Sequence, residues 1–365
     1  MKKPSLFIIF LTVFIDLIGF GIVLPMLPDY AQQYGAHGAV IGLVIGSYSL
    51  MQFFFSPMWG RLSDRIGRRP VLLISNCGST VAYALFALSA REPGTYGLLM
   101  LLASRVFAGI CGANLSVASA YIADITTPEN RSRGMGMIGM AFGFGFILGP
   151  ALGSFSAEKF GLSGPGWVAA SICFLNFILG CFILVESRTP GGDPVPKRSR
   201  SEQWKLALAH PRLGLLMGIF FLATFCFTCF ETTLPLLLKG RVFHRFGKVM
   251  EVGRGNIGYL FTYCGLVGAL IQGGGIGRMV KRFGEPQLIA GSLLVVAVSL
   301  VLIPFAPGLA GMLLGLGVFA IGSGVNRAPT MGMISQCASS NEQGATLGLA
   351  QSVGTVARIV VPPFE

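Results

Sequence analysis

Four ionisable residues stand inside long apolar runs of the sequence: Asp16, Arg105, Glu231 and Arg358. A charge in such surroundings is costly, so each marks a candidate site. Asp16 lies about eleven residues into its run, about 16 Å at helical rise, which is close to mid-bilayer. Burial there disfavours the ionised carboxylate, as a proton-coupling group requires. A helix-packing hydrogen bond is the structural alternative. Glu231 sits in the outer half of its run, where it could share proton coupling, bind a cationic substrate or pair locally. The guanidinium of Arg105 could pair with a carboxylate and bias proton release. Arg358 offers the same chemistry near the chain end. Asn114 and Gln52 are neutral polar groups in apolar runs, suited to lining a cavity or to joining helices.

Two Gly-containing stretches carry further pattern. In G-R-L-S-D-R-I-G-R-R (Gly60–Arg69), Gly60 and Gly67 permit a tight turn between spans. Asp64 can accept hydrogen bonds from a helix N-terminus or pair with Arg65, Arg68 or Arg69, so the stretch reads as a loop that latches one side. In G-F-G-F-I-L-G-P-A-L-G (Gly143–Gly153), Gly145 and Gly149 share a helix face, and Pro150 removes a backbone donor before Gly153. That is a hinged helix packed tightly on a neighbour. A dinucleotide-binding reading fails, because no strand precedes the glycines. Metal-ligand spacing, a nucleophile triad and a phosphate-binding G-x-x-x-x-G-K-[ST] are all missing. No cofactor, no metal, no enzymatic activity and no ATP-driven transport are expected. His37, His210 and His244 fall between apolar runs as surface residues. The eight cysteines, including the C-x-x-C of Cys226 and Cys229, read as buried thiols.

The elements that hold these residues follow from composition. Only 12% of the 365 residues are Asp, Glu, Lys or Arg, against 53% hydrophobic, and mean hydropathy is +0.71. A soluble domain carries about twice that charged fraction. Apolar stretches of about 20 residues recur throughout: Ser5–Leu27, Ala39–Trp59, Pro70–Ala90, Tyr96–Ile122, Gly134–Phe155, Gly166–Val185, Leu213–Leu238, Asn256–Ile276, Gln287–Phe305, Leu309–Ala328 and Gln343–Pro362. The chain therefore reads as an all-α polytopic membrane protein of eleven spans. Continuous runs of this length exclude a membrane β-barrel. The net charge of +12 is not a nucleic-acid signal, because the cations lie in short clusters between spans. With the N-terminus inside, 18 of 27 Lys and Arg, Arg327 included, fall on cytoplasmic segments and 7 outside, mostly in Lys239–Gly255. A retained first span, not a cleaved signal peptide, fits the lack of a cleavage site.

The sequence repeats itself. Gly60–Arg69 returns as Gly277–Glu285 at an offset of 217, and Val106–Asn114 as Val318–Asn326 at an offset of 212. Leu24-Pro25 matches Leu234-Pro235. Six spans followed by a similar set divide the chain into residues 1–186, a polar linker at 187–212 and residues 213–365. Span eleven mirrors span five, with Pro363 facing Pro150. The mirror of span six would be a twelfth helix, and its absence is read as a C-terminal truncation.

These motifs carry a resemblance. Gly60–Arg69 resembles the loop motif of the major facilitator superfamily, S-R-V-F-A-G-I-C-G-A-N around Arg105 resembles its fourth-helix arginine motif, and G-F-I-L-G-P-A-L-G resembles the fifth-helix motif of drug/proton antiporters. The opening residues around Asp16 are similar to those of tetracycline/proton antiporters. The resemblance implies two six-helix bundles around a central cavity that opens alternately to either side. It implies roles for Asp16 and Arg105 in proton coupling and for Asp64 and Arg68 in gating. Ala82 stands where those exporters carry an aspartate, and the ninth span has no acid, which counts against a tetracycline–metal chelate as substrate. The expectation is a proton-coupled efflux antiporter of small amphipathic compounds, monomeric, in the plasma or inner membrane, with substrate, protons and lipid as its partners. A metabolite symporter or facilitator, and a truncated non-transporting membrane protein, are the alternatives.

Overall fold

The structure, a computed structural model, describes residues 4–36, 39–188, 200–238, 242–245, 248–251, 254–306, 308–339 and 341–360. His37, the linker stretch 189–199 and Pro363 lie outside the described residues. The helices in chain order are α1 (Leu6–Val23), α2 (Leu27–Gln33), α3 (Ala39–Ile66), α4 (Arg68–Ser89), α5 (Gly94–Cys111), α6 (Leu115–Ile125), α7 (Pro128–Phe160), α8 (Gly164–Ile183), α9 (Arg200–Ala209), α10 (Pro211–Leu238), α11 (Arg254–Leu270), α12 (Ile276–Phe283), α13 (Glu285–Leu302), α14 (Gly308–Cys337) and α15 (Gln343–Val360). A 3-10 turn at Gly112–Asn114 joins α5 to α6, and a π-helical turn at Ile271–Gly275 joins α11 to α12.

Among the described residues, ten helices are long and apolar enough to cross a membrane. The eleventh expected span is α15, an 18-residue helix. Bulky side chains on the outside, such as Phe182, Leu294, Phe305 and Leu314, are mostly exposed. Water would penalise that surface by about 25 cal/mol per Å², whereas lipid accepts it. The chain is a multi-pass membrane protein of the two-bundle type whose spans are all helical.

Three expectations change at this level. The Gly60–Arg69 stretch is almost entirely helical: α3 runs to Ile66, and only Gly67, at φ +103°, breaks it from α4. Its repeat partner Gly284 has φ +77° and breaks α12 from α13 in the same way. Both conformations belong to the left-handed region that favours glycine. Arg327 is not on a segment between spans, because α14 continues ten residues beyond it. His244 lies in a strand: Val242–Arg245 (β1) pairs antiparallel with Lys248–Glu251 (β2), so the basic segment before α11 is a short hairpin.

In the first half, α1 packs on α7 and α8, and α4 on α5 and α8. In the second, α13 and α11 pack on α14, and α10 on α14 and α15. The halves meet where α3 crosses α15 and where α7 crosses α11 and α14.

Candidate functional site

The end of α3 meets the start of α15 without side chains between them. A Cβ on Gly60 would overlap the Gly344 carbonyl, and one on Gly348 would come within 2.6 Å of the Ser56 carbonyl oxygen. This approach delivers the Gly344 and Ala345 amides to the carboxylate of Asp64, at 3.0 and 2.8 Å. Those amides are in the first turn of α15, which has no intrahelical acceptor for them, so a carboxylate there satisfies donors and the helix dipole together. The same carboxylate takes a hydrogen bond from Arg68 Nη1 at 2.6 Å. Asp64 and Arg68 are both fully buried. Arg68 also donates to Ser63 Oγ and, through Nε, to Asp124 Oδ2 at 3.0 Å.

Glu186 completes the network. Its two oxygens accept the backbone amides of Arg68 and Arg69 at 2.9 and 3.1 Å, capping α4. A Cβ on Gly67 would strike Glu186 Oε2. Arg69 Nη2 donates to the Cys181 carbonyl, which ties α4 to α8. Arg65 faces out, exposed. The structure thus brings Gly60, Asp64, Gly67, Arg68 and Arg69 together and leaves Arg65 outside.

A second group of polar residues lies midway along the helices. Asn114 Nδ2 donates to Asp16 Oδ2 at 3.1 Å. Gln52 Nε2 donates to Tyr48 Oη at 3.1 Å and to the Gly112 carbonyl at 3.0 Å. The Arg105 guanidinium lies over the Tyr48 ring, 4.9 Å from its centroid. Arg105 is buried, its Nε has no hydrogen-bond partner, and among the described residues it has no ion pair with a carboxylate. The pairing expected of it is replaced by a cation–π contact. Tyr48 is the hub: its hydroxyl accepts from Gln52 and its ring lies under Arg105.

From the second half, Arg327 and Arg358 line a small cavity of about 20 Å³ together with Gln52, Thr224 and Gln351. Arg327 lies 4.7 Å from the Phe142 centroid and 5.8 Å from that of Phe220. Glu231 lies on α10, half-buried. Among the described residues neither arginine is in an ion pair. Arg327 and Tyr48 were missed in the sequence. Arg327 directly follows Asn326, the repeat partner of Asn114, and that adjacency was the available signal.

The α7 glycines define how α7 is held on α1 within the first half. Gly145 packs against Leu17, Gly149 against the Gly21 backbone at 2.5 Å from an added Cβ, and Gly153 against the Ile22 carbonyl at 2.7 Å. The helix runs unbroken through Pro150. Nearer its start, α7 faces the other half instead: Gly136 meets the Gln272 carbonyl, and Gly143 that of Gly265.

A shared family accounts for this arrangement. The model of the Major Facilitator Superfamily matches residues 9–362. The chain belongs to the major facilitator superfamily. It is 32% identical to the tetracycline resistance protein, class C, of Escherichia coli, over 99% of this chain and 89% of the relative. It is 28% identical to mouse major facilitator superfamily domain-containing protein 10, over 99% and 86%. The crystal structure of the human organic anion transporter MFSD10 (TETRAN) superposes with a TM-score of 0.83 at 25% identity, covering 99% of this chain and 93% of that one. As a major facilitator protein the chain is a transporter of small molecules across a membrane, not an enzyme.

Proposed function

We propose that this protein is a proton-coupled antiporter that exports small amphipathic compounds by alternating access. The observation that carries the reading is Asp16: a mid-span carboxylate held by the neutral donor Asn114, with no cation in ion-pair distance among the described residues. Such a group keeps its charge only while solvent or a substrate supports it, so protonation and cargo binding compete. Residues 1–186 and 213–365 are the two units that rock, joined by 187–212, with the N-terminus and the Asp64 network on the cytoplasmic side of the plasma or inner membrane.

The conformation in hand supports the cycle. Contacts between the halves cluster toward the Asp64 end, through Phe53–Ser352, Ser56–Gly348 and Gly60–Gly344 on one seam. Ser132–Gly332 and Gly136–Gln272 form the other. Farther along α7, the glycines face α1 within their own half. In this reading the contacts close the end of the transporter that faces the cytoplasm. A proton arriving from outside neutralises Asp16; reopening inward exposes it to cargo and a higher pH, where it ionises again. Arg327 and Arg358, without carboxylate partners and beside two phenyl rings, favour cargo with an anionic group on a flat apolar body. Relatives named for tetracycline resistance and for organic anion transport support export and that cargo class respectively.

The test uses inverted membrane vesicles carrying a proton gradient and a fluorescent pH probe. Addition of an exported amphipathic anion should collapse the gradient. Movement of a labelled metabolite with no proton counter-flow would mark a facilitator instead. No exchange by folded protein with any compound would mark a non-transporting protein.

A further inference from the structure

The second copy of the Asp64 motif lies at a cavity of its own. Between the start of α7 and the α11–α12 junction is a space of about 430 Å³. The π-helical turn at Ile271–Gly275 widens the helix there, and Gly273, Gly274 and Gly277 contribute no side chains to fill it. Three cations line it: Arg133 from α7, and Arg278 and Lys281 from α12. Glu129 is the single acid on its wall. Gly277 lets the Arg133 stem lie across α12, 3.2 Å from an added Cβ.

The repeat explains why this place is cationic. The offset of 217 residues puts Lys281 where the first copy has Asp64, and Glu285 where it has Arg68. Glu285 does not turn back to Lys281. It accepts from the Ser132 hydroxyl and from Gln336 Nε2, tying α13 to α7 and α14. No ion pair within 4 Å holds Arg133, Arg278 or Lys281 among the described residues. Beside that tie, the cavity sets cations of the two halves on facing walls across the seam. Like charges oppose closure unless an anion lies between them.

We infer that this cavity is a binding site for a phosphate-bearing anion, which bridges Arg133 of the first half to Arg278 and Lys281 of the second and stabilises the closed seam. The cavity lies at helix ends, the level at which phospholipid headgroups carry their charge, so an anionic phospholipid is the expected source. A soluble phosphate compound has the same chemistry.

The experiment reads the thermal unfolding midpoint of the purified full-length protein in neutral detergent micelles. These are supplemented with phosphatidylglycerol, with phosphatidylcholine or with inorganic phosphate. Phosphatidylglycerol should raise the midpoint and phosphatidylcholine should not. In the Arg278→Gln/Lys281→Gln variant, half-saturation should need on the order of thirtyfold more phosphatidylglycerol, each of the two cations contributing about 1 kcal/mol. Lys159→Gln, at the other end of α7, should respond as wild type does. Equal protection by inorganic phosphate, lost in the double variant, keeps the site and assigns it to a soluble phosphate compound. An unchanged response in the double variant, or no response to either anion in wild type, overturns the inference.

Discussion

Asp64 and Gly344, 280 residues apart, are joined by a 3.0 Å hydrogen bond from the Gly344 amide to the carboxylate. That bond crosses the two halves at the point where their backbones touch. It makes the charge on one side chain a condition for closing one end of the molecule, because Asp64 also holds the buried Arg68.

Asp64→Asn should therefore remove more than one bond. Breaking a buried ion pair by deleting one partner costs up to about 3–5 kcal/mol, and Arg68, which stays buried, keeps only Asp124 as its carboxylate partner. The expected outcome is a lower unfolding midpoint and transport reduced at least tenfold. Asp64→Glu should not restore transport, because the longer side chain has no room under Gly344. A thermal melt and a transport assay on both variants check this.

Gly60→Ala should part the α3–α15 seam, as its Cβ would overlap the Gly344 carbonyl. Overpacking costs of about 1–3 kcal/mol correspond to a change of about 5- to 150-fold in the closed population. A cysteine introduced at Ser56, which is buried, should become reactive to a water-soluble thiol reagent from the cytoplasmic side in this variant and stay slow in the parent.

Gly149→Val acts within the first half, where α7 packs on α1. Its side chain would meet the Gly21 backbone, so α1 and α7 must separate. A loss of about 1–3 kcal/mol or more is expected, read as a fall in the unfolding midpoint with the Asp64 end unaffected in the thiol assay.

Much of this architecture was legible in advance because a bilayer imposes long apolar helices and makes every interior charge conspicuous. Asp64 was readable as an acceptor for a helix N-terminus, but which helix was not, since α15 begins 279 residues later. Glu186 stood as the last residue before the linker; only the fold shows it capping α4. Arg327 was assigned outside a span because an arginine after an apolar run usually marks the membrane boundary. Here Phe142 and Phe220, brought in by α7 and α10, give it an interior place. Tyr48 carries no charge and no motif, and its place under Arg105 depends on how α3 and α5 cross.

Arg327→Gln tests the cargo class. It should weaken competition by amphipathic anions on the order of tenfold, the worth of one charge-assisted hydrogen bond, and leave neutral analogues of the same shape within a factor of about two. Equal losses for both would assign Arg327 a structural part only. Competition for a transported fluorescent compound measures both.

The central claim is that Asp16 couples transport to protons, and two assays on Asp16→Asn in proteoliposomes separate coupling from translocation. Asparagine has the size of aspartate and still meets Asn114, so the fold should hold. The expected result is loss of efflux driven by a pH gradient, with exchange of labelled for unlabelled cargo at equal pH preserved. Full pH-driven efflux by Asp16→Asn would contradict the assignment.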